Sequence, residues 1–291
     1  MSSEDKRRPV VGVDDLPAPL DLPGLVRSAW GLYRRRFRLW VVTTGIGYLI
    51  LHALQTLGIE IFLRGRLSDT GEQLVEFILV MVLVAIAGSV VTVLLVPAMA
   101  ATVFEAPITF REAARVAGGR GRHAFIAAQY ALLLSLLMLL PPFGFLFFIV
   151  GTEIVLATVA GPPILIHTII HEGSSARDAW PRTKQIMKGQ WLRIVMNMLT
   201  VVLGLGILQY ALLQGFALGA DAAGIEGRLP LSLVLVGAQT LFAALALPLV
   251  FLGWFVSYLD ARARNDGLTR DELLSEIAAQ GADRQAGLTG P

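Results

Sequence analysis

Two histidines and a glutamate stand close together in the chain, at His167, His171 and Glu172. On a helix the two histidines lie one turn apart on the same face, a spacing from which two imidazoles can bind one metal ion. The His-Glu-x-x-His order of zinc hydrolases is absent, and the sequence offers no evident third ligand. We therefore predict no metal site and no cofactor, because the pair falls at a cytoplasmic span end, where histidines often contact lipid headgroups.

Glu153 is the second candidate for chemistry, because it lies inside the long apolar run Phe143–Ile170. If this run begins after the turn at "PPFG", the carboxyl group lies about 15 Å deep in a bilayer, where an ionised carboxylate costs at least about 2.5–3.5 kcal/mol. Such a residue would face other helices and be protonated or paired. The alternative puts the turn at "GTE", and Glu153 then lies at the outer surface.

The composition indicates that these residues belong to a membrane protein. Of 291 residues, 55% are hydrophobic and 16% charged, and the mean hydropathy is +0.67. So few charged side chains cannot cover the surface of a soluble protein of this length. Six apolar runs are each long enough to cross a hydrocarbon core about 30 Å thick. They lie near Leu39–Leu63, Phe77–Val96, Ala124–Leu140, Phe143–Ile170, Leu192–Leu218 and Leu231–Tyr258.

Basic residues are concentrated on one side of this predicted membrane domain. Residues 1–38, 105–123, 171–193 and 260–291 contain 8, 4, 5 and 4 lysines and arginines, which is 21 of the 24 in the chain. The positive-inside rule places both termini and these four segments in the cytoplasm. Because no signal-peptide pattern follows the N-terminus, we expect a multi-pass protein of the inner membrane without a cleaved leader.

Three of the basic segments have the pattern of amphipathic helices that lie on a membrane surface. In the clearest, Ser175 and Asp178 form a capping box before apolar residues at helical spacing, although Pro181 is expected to kink the helix. We predict surface helices at 21–36, 109–118 and 175–188, with tryptophans and cations at the level of anionic headgroups. The residues assigned to this contact are Trp30, Arg34, Arg35, Arg36, Arg38, Arg177, Trp180, Lys184, Lys188 and Trp191.

The three segments also match one another at fixed offsets. A shift of 66 residues aligns segment 109–118 with the helix after Ser175. A shift of 154 residues aligns Asp21, Leu25, Ala29, Leu32 and Phe37 with Ser175, Ala179, Thr183, Ile186 and Trp191. We predict three weak repeats, each a surface helix followed by two transmembrane helices. The simpler interpretation is that all basic loops before a span look alike.

The stretch "SYLDARARNDGLT", after the last predicted span, is interpreted as a structural anchor. Asp260 and Arg264 are four residues apart on a helix and can pair, while Arg262 and Arg264 lie near the negative end of the helix dipole. The helix should stop by Gly267, before a new capping box at Thr269. The predicted domains are a flexible tail at 1–18, a six-helix transmembrane domain at 19–264, and a cytoplasmic amphipathic helix and tail at 265–291.

Three of these segments resemble motifs of a known family. "PGLVRSAWGLYRRRF", "GPPILIHTIIHEGSSARDAWPRTKQIMKGQW" and "SYLDARARNDGLT" are similar to motifs of the bacterial and archaeal family named after the membrane domain of glycerophosphoryl diester phosphodiesterase, and of related multi-span proteins. Pro181 and His171 depart from the family pattern. The resemblance implies a helical membrane domain, and a phosphodiesterase only where a catalytic barrel is fused; we expect no such barrel in this chain.

Together these features predict an all-α integral membrane protein without catalytic activity. We expect it to bind anionic membrane lipids, to contact a membrane-protein partner, and to serve as an accessory or scaffold in membrane, lipid or envelope homeostasis. Basic clusters beside spans favour lipid over nucleic acid. The alternative is a transporter of a small molecule or lipid with a polar pathway past Glu153. An enzyme acting on headgroups would depend on His167, His171 and Glu172.

Overall fold

The structure is a computed structural model. It describes residues 13–58, 90–104 apart from 92, 121–126, 129, 161, 164–224 and 228–276, and within these ranges every regular element is helical. After a 3-10 turn at Val13–Asp15, the helices are α1 (Leu22–Arg35), α2 (Phe37–Gly58), α3 (93–103), α4 (121–126), α5 (164–172), α6 (Ala176–Met187), α7 (Trp191–Ala222), α8 (Arg228–Asn265) and α9 (270–276).

Helix α8 is the element around which the other helices pack. It contacts α1, α2, α6 and α7, and its side chains Phe255, Val256 and Leu259 are fully buried. Small residues let α2 approach it closely, because a Cβ placed on Gly45 would come 3.2 Å from the Cβ of Ala244. Small residues have this role in packing between helices of membrane proteins.

Two described helices are long and apolar enough, by length and composition, to cross a membrane. They are Trp191–Phe216 within α7 and Val236–Asn265 within α8. They coincide with the fifth and sixth predicted spans. Shorter apolar helices, Phe37–Ile50 and Val93–Val103, fall in or beside the first two.

The other predicted spans fall largely beyond the described residues. These are Ala124–Leu140 and Phe143–Ile170, of which the structure describes only the ends. The 109–118 surface helix is outside the described ranges as well. The number of six spans and the threefold repeat therefore remain predictions.

Helices α1 and α6 begin at the residues that the sequence indicates. A side-chain oxygen of Asp21 accepts a hydrogen bond from the backbone N–H of Gly24 at 2.8 Å, and Ser175 Oγ accepts one from the N–H of Asp178 at 3.3 Å. Each cap satisfies a backbone donor that has no partner inside its helix. Pro181 lies inside α6, and the helix continues past it to Met187.

The folded part of the chain begins earlier than predicted. Residues 13–18 were assigned to a flexible tail, but Val13–Asp15 form a helical turn, and Leu16 and Leu20 are 0% and 2% exposed. The tail therefore cannot extend to residue 18. The sequence did not reveal this because isolated leucines between prolines show no helical or strand periodicity.

Candidate functional site

A group of charged side chains surrounds the C-terminal end of α8. We call it the charged network, and it consists of Glu172, Arg182, Arg193, Asp260, Arg262, Arg264, Asp266 and Glu276. It contains all three residues that the sequence assigned to a structural anchor. The network has two centres, one at Arg262 and one at Asp260.

Arg262 is the buried cation of the first centre, with 6% of its side chain exposed. Its two Nη atoms donate to the two carboxylate oxygens of Glu276, each at 2.8 Å. Its Nε atom lies 3.3 Å from Asp266 and 3.5 Å from Glu172. A buried guanidinium needs such partners, because an unpaired charge in the interior costs several kcal/mol. The bidentate pair with Glu276 holds α9 against α8.

Glu172 connects α5 to the same centre. Its carboxylate accepts a hydrogen bond from the hydroxyl of Tyr258 at 3.1 Å and one from Nε of Arg182 at 2.7 Å. Arg182, on α6, also donates to both oxygens of Asp266. Burial acts to lower the pKa of Arg182, but its hydrogen bonds to Asp266 and Glu172 outweigh burial and raise that pKa. The C-terminal ends of α5 and α8 are thus joined to the middle of α6 through charged pairs.

Asp260 is the second centre, and it attaches the N-terminal segment. One carboxylate oxygen accepts from the backbone N–H of Leu20 at 2.6 Å and from Nε of Arg264 at 2.9 Å. The other lies 3.4 Å from Nη2 of Arg193. Arg264 also donates to the carbonyl oxygen of Leu20 at 2.8 Å. The predicted pair between Asp260 and Arg264 is therefore present.

His167 and His171 lie together inside the helical core. Their rings are stacked with centroids 5.7 Å apart, and both rings contact Phe255 and Tyr258. His167 is 0% exposed, and neither of its ring nitrogens has a hydrogen-bond partner among the described residues. Within the same ranges, no group of three or more metal-ligating side chains is placed to hold an ion. The two histidine rings therefore pack as aromatic side chains in the core.

Glu153, the second candidate for chemistry, lies outside the described residues, and its position in the membrane stays a prediction.

The cations assigned to lipid contact on α1 fall into two groups. Arg34 and Arg38 are exposed, whereas Arg35 and Arg36 are half-buried. Arg35 donates to Asp14 at 2.8 Å, and this hydrogen bond, with the charge of the guanidinium, lowers the pKa of Asp14. Arg35 therefore helps to hold the N-terminal turn.

The cations assigned to lipid contact on and after α6 are exposed. Arg177, Lys184 and Lys188 all face outward. The Nζ atom of Lys184 lies 5.7 Å from the ring centroid of Trp180, a cation–π distance. These residues are placed where a negatively charged surface could reach them.

The three tryptophans assigned to headgroup depth differ in their surroundings. Trp30 is exposed, while Trp180 and Trp191 are partly buried against the core. The ring of Trp180 lies against Gly161, where a Cβ would come 3.0 Å from it. Trp30 is thus the tryptophan with the largest surface available for membrane contact, and the depth of all three remains a prediction.

Sequence reasoning did not identify Arg182, Arg193, Asp266 or Glu276, and it considered Glu172 only as part of a metal or headgroup-enzyme site, not of the charged network. The spacing of Arg262 and Asp266, four residues apart, was a usable local signal. Arg193 and Glu276 reach the network only through the packing of α7 and α9, for which the sequence contains no local signal.

Comparison with known proteins gives no match, whether to a protein-family model, to a curated protein or to a solved structure. The described residues define an all-helical protein with two helices that could cross a membrane.

Proposed function

We propose that the protein is a non-catalytic, multi-pass inner-membrane protein that holds basic amphipathic helices against the cytoplasmic leaflet and binds anionic lipid there. It acts as an accessory or scaffold in membrane, lipid or envelope homeostasis. In this proposal the chain has six spans in three repeats, has both termini in the cytoplasm, and is related to the membrane-domain family of glycerophosphoryl diester phosphodiesterase.

The divided apolar surface of α1 is the observation that carries this proposal. One face of the helix is buried, through Leu25, Ala29 and Leu32. A second stripe, four residues apart along the helix, is exposed: Leu22, Val26 and Trp30, at 37%, 49% and 48%. An amphipathic helix whose inner face is already buried in protein, and which still presents a second apolar stripe, is suited to rest on a lipid surface.

Exposed cations lie beside this stripe. Arg27, Arg34 and Arg38 are all exposed on α1 or at the start of α2. A basic residue close to an anionic leaflet contributes about 1 kcal/mol to membrane association. The combination of an apolar stripe with flanking arginines favours anionic lipid over a neutral surface.

The equivalence of α1 and α6 supports the proposed repeat. At an offset of 154 residues, Asp21 and Ser175 are both N-caps, and Phe37 and Trp191 both begin the long helix that follows. The intervening aligned pairs are all buried: Leu25 with Ala179, Ala29 with Thr183, and Leu32 with Ile186. Two copies of a repeat are expected to share the position of the N-cap, the buried face and the start of the following helix.

The pairing of the charged network supports a bracing role over a catalytic one. Glu172, Asp260 and Glu276 each accept hydrogen bonds from an arginine. Charge-assisted hydrogen bonds of this kind are stronger than neutral ones, and they occupy these carboxylates with donors of the protein itself. The network is suited to fixing helix ends in place.

Spin labelling tests the surface-helix proposal directly, because the chain has no cysteine to remove. In lipid nanodiscs containing phosphatidylglycerol, a nitroxide at Val26→Cys should be reached by oxygen and shielded from a water-soluble nickel chelate. A nitroxide at Arg27→Cys, one residue further and turned away by about 100°, should show the opposite preference. Equal access of the nickel chelate to both positions would contradict the proposal.

A further inference from the structure

Helix α8 contains a weak turn at Pro248. Proline has no N–H, so the carbonyl oxygen of Ala244 lacks the donor that a regular helix would supply, and the proline ring crowds this turn. The hydroxyl of Tyr33, on α1, donates to the carbonyl oxygen of the next residue, Leu245, at 3.0 Å. A side chain of a neighbouring helix thus donates to the turn that the proline weakens.

A second break lies close to the first, between α1 and α2. Arg36, with φ of −134° and ψ of 40°, belongs to neither helix. The carbonyl oxygen of Leu32, in the last turn of α1, accepts a hydrogen bond from Nε1 of Trp40, on α2, at 3.1 Å. Tyr33 precedes this break by three residues, and Leu245 precedes the proline by three. The hydrogen bond between Tyr33 and Leu245 therefore connects the two breaks.

Helix α7 contains two glycines at the same level. Arg193 of α7 lies 3.4 Å from Asp260 of α8, and these consecutive helices run antiparallel because their connection is short. Eleven residues along each helix from this pair are Gly204 and Leu249, the residue after the proline. A Cβ at Gly204 or Gly206 would meet no atom within 4 Å, so close packing does not require these glycines. Glycine in a helix interior makes the helix easier to deform.

The parts of the molecule on either side of this level are firmly braced. On one side, the charged network joins α5, α6 and α9 to the C-terminal end of α8, and Asp260 attaches Leu20. On the other side, α2 packs closely on α8, where a Cβ at Gly45 would come 3.2 Å from the Cβ of Ala244. The weak points of α7, α8 and the α1–α2 connection thus separate two braced parts.

We propose that this level is a hinge and that the hydroxyl of Tyr33 is its latch. The network part consists of α1, α6, α9 and residues 249–265 of α8, and the distal part consists of α2 and residues 228–244 of α8. Bending changes the angle between the two parts, while Gly204 and Gly206 absorb the change within α7. The hydrogen bond from Tyr33 to Leu245 forms in the latched state and is lost in the bent state. The hinge goes beyond the proposed function, since it does not depend on what α1 binds.

Double electron–electron resonance measures the bend in the full chain, reconstituted in phosphatidylcholine nanodiscs. Nitroxides at Arg27→Cys and Ile50→Cys, both exposed positions, measure the distance between the network part and the distal part. Ile50 lies 14 residues beyond Arg36, or about 21 Å along α2, so a bend of about 20° moves its label by about 7 Å. A second pair, Arg27→Cys with Lys184→Cys, measures a distance inside the network part.

Tyr33→Phe removes the latch without changing the ring, so it should broaden the distribution of the distance between the two parts toward the shift of about 7 Å. The distance inside the network part should stay as in wild type. Pro248→Ala restores the missing N–H and should narrow the distribution again when combined with Tyr33→Phe. Tyr210→Phe, which removes an exposed hydroxyl from α7, is the matched control and should change neither distance.

An unchanged distance between the two parts in Tyr33→Phe would overturn the latch. Equal broadening of both distances would show general loosening of the fold and would also count against the hinge. Broadening in Tyr33→Phe that Pro248→Ala does not reverse would show that α8 does not bend at the proline.

Discussion

Arg262 and Glu276 face each other across the break between α8 and α9, with two N···O distances of 2.8 Å. The chain between them turns at Gly267, whose φ of 70° is in the left-handed region. Helix α9 then begins after Thr269, whose hydroxyl accepts from the N–H of Glu272 while the Glu272 carboxylate accepts from the N–H of Thr269. The predicted end of the helix before Gly267 is therefore confirmed. The ion pair lets the chain reverse its course while α9 stays attached to the end of α8.

Replacement of Arg262 should be the most damaging single change in the charged network. Arg262→Met leaves Glu276 without its partner and should destabilise the fold by about 3–5 kcal/mol, the range for breaking a buried pair. Arg262→Lys should recover part of this loss, since lysine keeps the charge but not the bidentate geometry. Thermal unfolding in detergent micelles measures both. Arg177→Met, an exposed change on α6, is the control, and equal melting of the two methionine variants would refute the bracing role.

Acid should loosen α9 before it unfolds the rest of the protein. The backbone N–H of Thr269 and, to a lesser extent, its hydroxyl donate hydrogen bonds to Glu272. These bonds lower the pKa of Glu272 below its usual value of 4.5. Because the pKa is lower in the folded state, the cap contributes its full stability above pH 4.5 and loses it as the pH falls through the folded-state pKa.

Hydrogen exchange of residues 269–276, corrected for the intrinsic pH dependence of exchange, tests this loss. Protection should decrease below about pH 4.5 in wild type. Glu272→Gln should show weaker protection at neutral pH and a smaller further change with acid. An unchanged acid response in Glu272→Gln would show that another group controls α9.

The orientation of the chain can be tested with single cysteines in intact cells. Cysteines at Asp69 and Ala223 should react with an impermeant maleimide from outside, because both lie in predicted outer loops that hold few cations. Cysteines at Ser2 and Ser275 should react only after permeabilisation. The reverse pattern would contradict the cytoplasmic assignment of the basic segments.

Local signals in the sequence predicted local structure well. Ser175 with Asp178, Thr269 with Glu272, and Asp260 with Arg264 are three or four residues apart, and each pair forms the expected contact. These contacts follow from helix geometry alone, so a short window of sequence contains the whole signal.

Contacts between distant segments could not be predicted in this way. Leu20 and Asp260 are separated by 240 residues, and their hydrogen bond depends on how α1 and α8 pack. Glycines show the same limit. A Cβ at Gly47 would come 2.7 Å from Val91, whereas at Gly204 and Gly206 it would meet nothing within 4 Å. Only the tertiary structure distinguishes a glycine that permits close packing from one that does not.

The last prediction is that the protein does not hydrolyse glycerophosphodiesters. Hydrolysis requires a nucleophile or metal-bound water, an acid for the leaving group, and groups that stabilise the developing charge. Glu172 is held by Arg182 and Tyr258, and His167 is fully buried, where a polar headgroup would have to displace core side chains to reach it.

The purified protein, assayed with and without divalent metal, should therefore release no glycerol phosphate or free headgroup above the rate of a protein-free control. The same preparation should bind phosphatidylglycerol vesicles and lose this binding as salt is raised. Metal-dependent release of glycerol phosphate that disappears in both His167→Ala and His171→Ala, while these variants still bind vesicles, would establish a catalytic site and reverse this conclusion.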